Sequence, residues 1–457
     1  MSAHIQDRRD VGPVTVIGAG LAGSEAALCL ADRGFSVVLH EMRPRAMGPA
    51  HHTGHFAELV CSNSFKGTDP SSATGELKRE LDALESVLLD IARDTSVPAG
   101  AALAVDREEF SQRVTAMVQA HPRIVVEPDE VSSIDTNTYT IVATGPLTSA
   151  GLEPELGRLV GDSRLAFFDA AAPIVAAESL DRSVVFAASR YGKGESDDYL
   201  NCPLDRSEYE AFRDALVSAE RVTKKDFERG ELFSACQPIE EIARSGPDAM
   251  RFGPLKPVGL TDPRTGERPW AVVQLRAENR ELTSYNLVGF QTNLTFPEQR
   301  RVFSLIPGLR DAEFVRYGVM HRNTFVDAPR LLDPTLALRS YPRVRIAGQL
   351  SGTEGYLEAI ATGRLAALNT IADLLGTDPV VMPRESALGA LVAYATDPAT
   401  EPYQPIHVNW GIVPPLESRV RGKRERYAAY GERAWTATRT LIETHPLFAG
   451  QEPLAHE

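Results

Sequence analysis

Hydrophobic positions near the N-terminus follow first a strand period, then a helix period, then a strand period again. The apolar run Val14–Ile17 predicts a buried strand, and residues 24–33 predict a helix that stops at Gly34. A second strand is predicted at residues 36–40. These three elements together predict a βαβ unit of about thirty residues.

The pattern continues with further helices and strands as far as residue 142. Apolar residues at spacings of three and four between Leu77 and Ile91 predict one amphipathic helix. Asp106 and Glu109 resemble a capping box at the start of the next helix. Short β-rich runs then predict three strands, at residues 124–126, 131–134 and 139–142.

The middle of the chain differs in texture from both ends. From about residue 180 to 313, turns rich in proline and glycine alternate with β-rich segments and helical patterns. A strand at 344–347, a helix over 355–375 and a C-terminal helix starting near Glu417 return to the first pattern. We therefore predict an α/β fold in which a discontinuous Rossmann-like domain (1–178 and 316–457) carries an inserted α+β domain (179–315).

Composition places the chain among globular proteins. Of its 457 residues, 43% are hydrophobic and 24% are charged. No apolar run reaches the roughly 20 residues that a membrane helix needs, and the N-terminus lacks the apolar core of a signal peptide. Four scattered cysteines do not make a disulfide framework, so we expect a reducing, cytoplasmic location.

A basic segment, residues 419–433, stands out in an acidic chain. The net charge of −14 argues against a nucleic-acid partner for the molecule taken whole. Against two glutamates, the basic segment carries Arg419, Arg421, Lys423, Arg424, Arg426 and Arg433. Such a face can bind RNA phosphates, but an ordinary solvated helix face explains the same pattern, and both interpretations stay open.

A glycine-rich loop joins the first predicted strand to the first helix. Its residues are Gly18, Ala19, Gly20, Leu21, Ala22 and Gly23. The three glycines allow a tight turn, a close approach to a pyrophosphate and close packing of helix on strand. Glu41, at the end of the second strand, is placed to accept hydrogen bonds from ribose hydroxyls. The loop predicts a bound dinucleotide; the alternative is a glycine-rich helix start without a ligand.

Four features favour FAD over NAD as that dinucleotide. The loop lies at the extreme N-terminus, as in FAD enzymes of the glutathione-reductase type. Thr144 and Gly145 after a strand resemble the ATG motif of that class, and Gly348 with Gln349 resembles its late Gly-Asp motif. The helix that begins near Gly355 directs its positive N-terminal dipole to where a reduced flavin carries negative charge.

Two of the four cysteines lie in settings that favour chemistry. Cys61 and Cys236 are flanked by polar, turn-forming residues that can stabilise a thiolate, whereas Cys29 and Cys202 are predicted to be structural. A redox disulfide between Cys61 and Cys236 remains an alternative, although the chain has no CxxC motif. The three histidines at positions 51–55 lack helical ligand spacing and a second ligand cluster, so no metal site is predicted.

Specific motifs run along nearly the whole chain. They lie at residues 16–23, 41–44, 49–53, 56–64, 168–175, 199–203, 236–240, 285–292, 348–359 and 409–416. Together they resemble the folate- and FAD-dependent tRNA (uracil-5-)-methyltransferases, which belong to the GidA-like tRNA-modifying flavoproteins.

The resemblance implies carbon-5 methylation of the T-loop uridine (position 54) of tRNA, giving 5-methyluridine. Methylenetetrahydrofolate supplies the one-carbon unit, and NADH or NADPH reduces the FAD. It also implies that Cys61 and Cys236 are the catalytic pair. We prefer Cys236 as the nucleophile and Cys61 beside the flavin as base or second thiol, although the sequence does not say which thiol attacks.

The remaining site predictions concern ligand contacts. Arg43 and Tyr356 join the FAD-binding residues, and Gln274, Arg276, Asn286 and Gln291 are candidates for folate. Residues Arg419, Arg421, Lys423 and Arg424 are candidates for contacts with the T-arm of tRNA, with Lys224, Lys225, Arg300 and Arg301 as further cations. Three alternatives stay open: a flavin oxidoreductase acting on a small metabolite or disulfide, a flavoprotein modifying another tRNA uridine, and a non-catalytic nucleotide- or RNA-binding protein. The sequence does not indicate an oligomeric state.

Overall fold

A computed structural model of the chain describes residues 12–48, 50–161, 164–170, 172–192, 198–222, 237–318, 320–401 and 403–449. Only the backbone is described at residues 164–170, 192 and 320–322. Cys236, Lys224 and Lys225 therefore lie outside the described residues. Within the described ranges, no helix is both long enough and apolar enough to cross a membrane.

The described residues form seventeen strands and thirteen α-helices. The strands are β1 (Val14–Ile17), β2 (Val37–His40), β3 (Ser64–Gly67), β4 (Ser96–Val97), β5 (Ala102–Val105), β6 (Ile124–Glu127), β7 (Thr140–Val142), β8 (Arg164–Ala170), β9 (Ile174–Ala176), β10 (Phe186–Ala187), β11 (Tyr199–Leu204), β12 (Ala271–Ala277), β13 (Ser284–Leu287), β14 (Phe314–Arg316), β15 (Met320–Val326), β16 (Ala337–Leu338) and β17 (Tyr341–Ile346). The helices are α1 (Leu21–Asp32), α2 (Ala73–Ala83), α3 (Val87–Asp94), α4 (Arg107–Ala120), α5 (Glu153–Val160), α6 (Arg206–Ser218), α7 (Ile239–Ser245), α8 (Ala249–Phe252), α9 (Phe296–Phe303), α10 (Ala328–Leu331), α11 (Tyr356–Leu375), α12 (Ala387–Thr396) and α13 (Lys423–Thr444).

The first sheet is a mostly parallel sheet with β1 near its centre. Its strand order is β16-β17-β7-β1-β2-β6, and every pair is parallel except β16 with β17. Helices α1 and α11 pack so closely that a Cβ added to Gly363 would lie 2.2 Å from the carbonyl oxygen of Ala22. This arrangement confirms the predicted α/β class with a Rossmann-like first region.

The second sheet is antiparallel, with the order β10-β11-β12-β13-β9-β14. Alternate residues such as Val273 and Leu275 join a core with Phe212 of α6 and Phe303 of α9. The opposite side, which we call the polar sheet face, carries Tyr199, Asn201, Gln274, Arg276 and Asn286. Because this sheet draws strands from Ile174–Ala176 and Phe314–Arg316, the domain boundaries at residues 179 and 315 remain a proposal.

Two smaller sheets complete the architecture. Strands β8 and β15 pair as an antiparallel ribbon, and the order β3-β5-β4 forms a three-stranded antiparallel sheet. In the latter, β3 comes directly after the segment that contains Cys61.

Three predicted elements are wrong in detail. The single helix predicted between Leu77 and Ile91 is two helices, because Glu85 takes a positive φ of 63° and Ser86 then caps α3. Residues 131–134 form no strand; Ile134 donates its N–H to the Glu155 carboxylate instead. The last helix begins at Lys423 rather than near Glu417, since Gly422 precedes it with a φ of 89°.

Candidate active site

A cavity lies at the carboxyl ends of β1, β2 and β7. Ligands of open α/β sheets bind at this edge of the sheet. Twelve of the predicted cofactor residues line it: Gly18, Gly20, Leu21, Ala22, Glu41, Arg43, Thr144, Gly145, Gly348, Gln349, Gly355 and Tyr356. We call this space the cofactor cavity.

The three loop glycines meet different constraints. Gly18 has a φ of 96°, and a Cβ there would lie 2.7 Å from the carbonyl oxygen of Ala143. A Cβ on Gly23 would lie 1.8 Å from the carbonyl oxygen of Gly18, so Gly23 is required by the packing of α1 against the loop. Around Gly20, the described protein offers no atom within 4 Å of such a Cβ. Gly20 therefore leaves open space on the cavity side, which fits a closely approaching ligand.

Glu41 is held rigidly at the end of β2. Its Oε2 accepts hydrogen bonds from the N–H of Ala19 at 2.8 Å and from Nη2 of Arg43 at 3.0 Å. Its Oε1 accepts from the backbone N–H and from Nε of Arg43, at 3.0 and 2.9 Å. Burial raises the pKa of Glu41, but the hydrogen bonds and charge of Arg43 outweigh it and lower that pKa overall. Glu41 is thus an ionised acceptor, and a ribose hydroxyl would share an oxygen with one of these donors.

His51 adds a polar group that sequence reasoning did not assign to the cofactor cavity. Its ring lines the cavity, and within the described residues its buried Nδ1 has no hydrogen-bond partner. Burial, and next the positive charge of Arg43, lower the pKa of His51 to about 4, so the imidazole is neutral. An orphaned ring nitrogen, the open face at Gly20 and the ionised Glu41 together fit a bound dinucleotide such as FAD.

Other cavity residues were also missed. Val60, Asp129, Glu130 and Val131 line the cofactor cavity beside the predicted residues. Residues 129–131 follow β6, whose carboxyl end lies next to that of β2 in the parallel sheet. The rule that ligands bind at these strand ends could have identified them, had residues 131–134 not been predicted as a strand.

Cys61 lies beside the cofactor cavity. Its backbone N–H donates to the hydroxyl oxygen of Tyr356 at 2.8 Å, and the N–H of Ser62 donates to the same oxygen at 3.1 Å. Tyr356 and Val60 both line the cavity, so the half-buried Cys61 follows directly on a cavity residue. Burial, and next the charge of Cys61, raise the pKa of Tyr356, which keeps its hydroxyl protonated.

Three arginines from different parts of the chain converge on residues 59–63, which we call the Cys61 loop. Arg316 of β14 donates to the carbonyl oxygen of Cys61 at 2.9 Å. Arg276 of β12 donates to Oδ1 of Asn63 at 2.9 Å. Arg107 of α4 donates to the carbonyl oxygen of Leu59 and pairs with Glu278 at 2.8 Å.

The predicted folate residues divide into two places. Gln274, Arg276 and Asn286 share the polar sheet face, where Arg276 lies opposite Asn286 in the β12–β13 pair. Gln291 lies elsewhere, and its carbonyl oxygen accepts from the N–H of Ile239 at 2.7 Å. Since Ile239 is three residues after Cys236, Gln291 is adjacent to the segment that follows this cysteine.

The cations predicted to contact tRNA differ in how they are held. In the basic segment, Arg419, Arg421, Lys423, Arg424 and Arg426 are exposed. Arg433 instead donates to the carbonyl oxygen of Pro415 at 2.8 Å. On α9, Arg301 pairs with Glu298 at 2.6 Å and Arg300 donates to the hydroxyl of Tyr317 at 2.7 Å. The cations of the basic segment are therefore more available to bind phosphates than Arg300 and Arg301 on α9.

The architecture is similar to that of a solved protein structure. The chain superposes on the crystal structure of Aquifex aeolicus GidA in its form II crystal with a TM-score of 0.68. The two sequences are 19% identical, and the match covers 94% of this chain and 74% of that chain. This likeness confirms the fold: a Rossmann-like domain with an insertion.

Comparison of sequences identifies the family. A family model described as glucose inhibited division protein A matches residues 13–378. The chain is 54% identical over 433 residues to the methylenetetrahydrofolate–tRNA-(uracil-5-)-methyltransferase TrmFO of Geobacter sulfurreducens, covering 93% of this chain and 99% of that protein. It is 56% identical over 431 residues to the protein of the same name from Pelobacter propionicus, covering 94% of each. The chain therefore belongs to the GidA family and, within it, to the methylenetetrahydrofolate-dependent tRNA (uracil-5-)-methyltransferases.

Proposed function

We propose that this protein methylates carbon-5 of the T-loop uridine of tRNA with the one-carbon unit of methylenetetrahydrofolate. Its relatives, more than half identical over nearly their full length, are named for methylenetetrahydrofolate-dependent methylation of tRNA uracil. The observation that carries the proposal for this chain is the placement of Cys61 directly beside the cofactor cavity. A flavin oxidoreductase acting on a small metabolite is not favoured by relatives of this identity. Because tRNA is the substrate, we place the enzyme in the cytoplasm.

FAD is the cofactor that the cofactor cavity would hold. The loop at Gly18 and Gly20 and the N-terminus of α1 would hold the pyrophosphate, and Glu41 the ribose. Gly348, Gln349 and the N-terminus of α11 at Gly355 would hold the flavin end. When bound and reduced by NADH or NADPH, FAD supplies the electrons that convert the transferred one-carbon unit to a methyl group.

The thiols supply the chemistry that uracil itself lacks. Carbon-5 of uracil is a poor nucleophile, and attack of a thiolate at carbon-6 produces an enolate that can accept a one-carbon electrophile. A base must then remove the carbon-5 proton. We assign the attack to Cys236 and the base role to Cys61, because Cys61 is anchored at the cavity wall by Tyr356.

Folate would approach from the second sheet, and the phosphates of tRNA would bind at the basic segment. The polar sheet face offers amide and guanidinium donors at Gln274, Arg276 and Asn286. The carbonyl oxygen of Gln291 accepts from the N–H of Ile239, three residues after Cys236 in the sequence. The basic segment would bind phosphates of the T-arm through Arg419, Arg421, Lys423 and Arg424. Since the target uridine lies in a folded loop, it must be splayed out, which costs a few kcal/mol.

A tRNA transcript with 5-fluorouridine in the T-loop tests both the position and the thiol roles. Fluorine at carbon-5 cannot be removed as a proton, so the attacking cysteine stays covalently bound to carbon-6. We expect an adduct with the wild type and with Cys61→Ser, and none with Cys236→Ser. A transcript with cytidine at that single position serves as the control and should give no adduct. If Cys61→Ser abolishes the adduct while Cys236→Ser retains it, the two roles are exchanged; an adduct with the control transcript contradicts the T-loop site.

A further inference from the structure

Three arginine side chains surround the Cys61 loop, and only one of them is paired with a carboxylate. Arg107 is paired with Glu278, which neutralises it. Arg276 and Arg316 bond to neutral oxygens, namely Oδ1 of Asn63 and the carbonyl of Cys61. Among the described residues, neither of these two guanidinium groups lies in an ion pair with a carboxylate, and the buried Nε of Arg316 has no partner. Three guanidinium groups thus meet one carboxylate, Glu278, whose charge acts on all three, and a net positive charge remains at this place.

Uncompensated buried cations cost free energy, so folded proteins supply a counter-charge near them. Burial lowers the pKa of Arg276 and of Arg316, and the charge of Glu278, with a smaller contribution from that of Cys61, opposes that shift at both residues. At Arg107 burial lowers the pKa, but the charge of Glu278 and, less strongly, that of Cys61 raise it overall. The thiol of Cys61 is therefore within electrostatic reach of all three arginines. Among the described residues Arg316 forms no ion pair with a carboxylate, so Glu278 acts on it only from beyond ion-pair distance.

The loop is also fixed from its other side. Tyr356 accepts the N–H groups of Cys61 and Ser62, while Arg316 donates to the carbonyl of Cys61. The backbone of Cys61 is therefore bonded at both its N–H and its C=O, the first to Tyr356 of α11 and the second to Arg316 of β14. The backbone of Cys61 therefore cannot move away from the guanidinium group of Arg316 without breaking these bonds.

We propose that Arg276 and Arg316, with Arg107 behind them, are positioning residues that hold Cys61 as a thiolate in the folded protein before any substrate binds. The thiol proton passes to solvent, and the two arginines supply the compensating charge. The inference rests on the proposed function only for the use of this thiolate as a base. Its ionisation is a property of the protein alone and needs neither folate nor tRNA.

The pH profile of Cys61 alkylation tests this proposal. Iodoacetamide reacts with the thiolate, forming a carbon–sulfur bond and releasing iodide, and the modified peptide that contains Cys61 is quantified by mass spectrometry. For the wild-type flavoprotein we expect a midpoint below about 7.5, compared with about 8.5 for an ordinary cysteine. A wild-type midpoint at or above that ordinary value would overturn the proposal. A second readout, the ultraviolet absorbance of thiolate that is lost in Cys61→Ser, gives the same midpoint without any reagent.

Matched variants separate charge from loop geometry. In Arg316→Gln the amide can still donate to the carbonyl of Cys61 but the charge is gone, whereas Arg316→Lys keeps the charge. We expect Arg316→Gln to raise the midpoint by about one pH unit, so that at pH values below the midpoint the thiolate fraction is about tenfold smaller. We expect the midpoint of Arg316→Lys to stay near that of the wild type. Equal shifts in the two variants would mean that only geometry matters, which contradicts the proposal.

Arg280→Gln is the control. Arg280 also bridges the two regions, donating to carbonyl oxygens of Asp94 and Ser96, but it does not contact the Cys61 loop. Its midpoint should equal that of the wild type. The buried Arg276 is tested in the same way as Arg276→Gln. If that variant does not fold, the two Arg316 variants and the wild-type midpoint decide. Loss of methylation with a preserved low midpoint would reject the proposed function and leave this inference intact.

Discussion

At the residue scale, Gly20 and Gly23 of the glycine-rich loop are needed for different reasons. Gly23 is required by the protein itself, since a side chain there would overlap the carbonyl oxygen of Gly18. Gly20 faces open space, so its lack of a side chain matters only when something occupies the cavity. Two glycines of one motif thus have separable roles, one in folding and one in binding.

Substitution of these two glycines by alanine should affect different properties, namely FAD affinity at Gly20 and stability at Gly23. For Gly20→Ala we expect a loss of less than about 1 kcal/mol in the free energy of unfolding of the apoprotein, with FAD affinity at least about tenfold lower. For Gly23→Ala we expect a loss of about 1–3 kcal/mol in stability, because the Cβ forces α1 away from the loop. Urea unfolding and titration with FAD measure both. Unchanged FAD affinity in Gly20→Ala would contradict a pyrophosphate at this position.

At the scale of elements, α2 is the meeting point of the C-terminal helices with the first region. Its Glu80 accepts the N–H groups of Ala387 and Leu388 at the start of α12, at 2.6 and 2.8 Å. Arg79 lies 4.1 Å from the ring centroid of Trp435 on α13. Glu76 is fully buried, and its nearest cation, Arg79, lies 3.8 Å away, which is too long for a hydrogen bond. The contact between α2 and α13 is thus built around an acidic group that burial disfavours in its charged form.

Stability should therefore fall with rising pH through Glu76. Burial, and next the charge of Glu80, raise the pKa of Glu76 to about 8, above its ordinary value of 4.5. Between these two values the folded state keeps a proton that the unfolded state releases, so stability is lost as pH rises. We expect Glu76→Gln to equal the wild type near about pH 4.5 and to exceed it by about 1–3 kcal/mol near pH 8.

Thermal or urea unfolding at both pH values measures this difference. Glu432→Gln is the matched control, because Glu432 also lies 3.8 Å from Arg79 but its side chain is 77% exposed. That variant should show no comparable pH-dependent gain. A gain of the same size in both variants would assign the effect to Arg79 rather than to the buried carboxyl.

On the scale of the whole molecule, the two sheets meet at the Cys61 loop. Asn63 donates to the carbonyl oxygen of Ala277 at 2.9 Å and accepts from Arg276, both on β12. Nearby, Tyr199 donates to the carbonyl oxygen of Ala99 at 2.9 Å. The polar sheet face is thus joined to the first region beside the cofactor cavity. An active site at this junction would take cofactor from one side and substrate from the other.

Local patterns predicted the parts of this molecule that depend on neighbours in sequence. The strand, loop and helix around Gly18 follow from short-range spacing, and twelve of the predicted cofactor residues line one cavity. The break at Glu85 was not predictable, since glutamate carries no signal for a positive φ. Nor were the contacts of Arg276 and Arg316 with the Cys61 loop, which these side chains reach from more than two hundred residues away. Only the fold brings those charges to the thiol.

The source of the methyl carbon is the sharpest test of folate-dependent methylation by this protein. The protein is incubated with FAD, NADH or NADPH, an unmodified tRNA transcript and methylenetetrahydrofolate labelled with carbon-13 at its methylene group. The nucleosides are then analysed by mass spectrometry. We predict 5-methyluridine that carries the label, and none when S-adenosylmethionine replaces the folate. Absence of 5-methyluridine above a no-enzyme control, or a product without the label, would contradict methylation of tRNA with the one-carbon unit of methylenetetrahydrofolate.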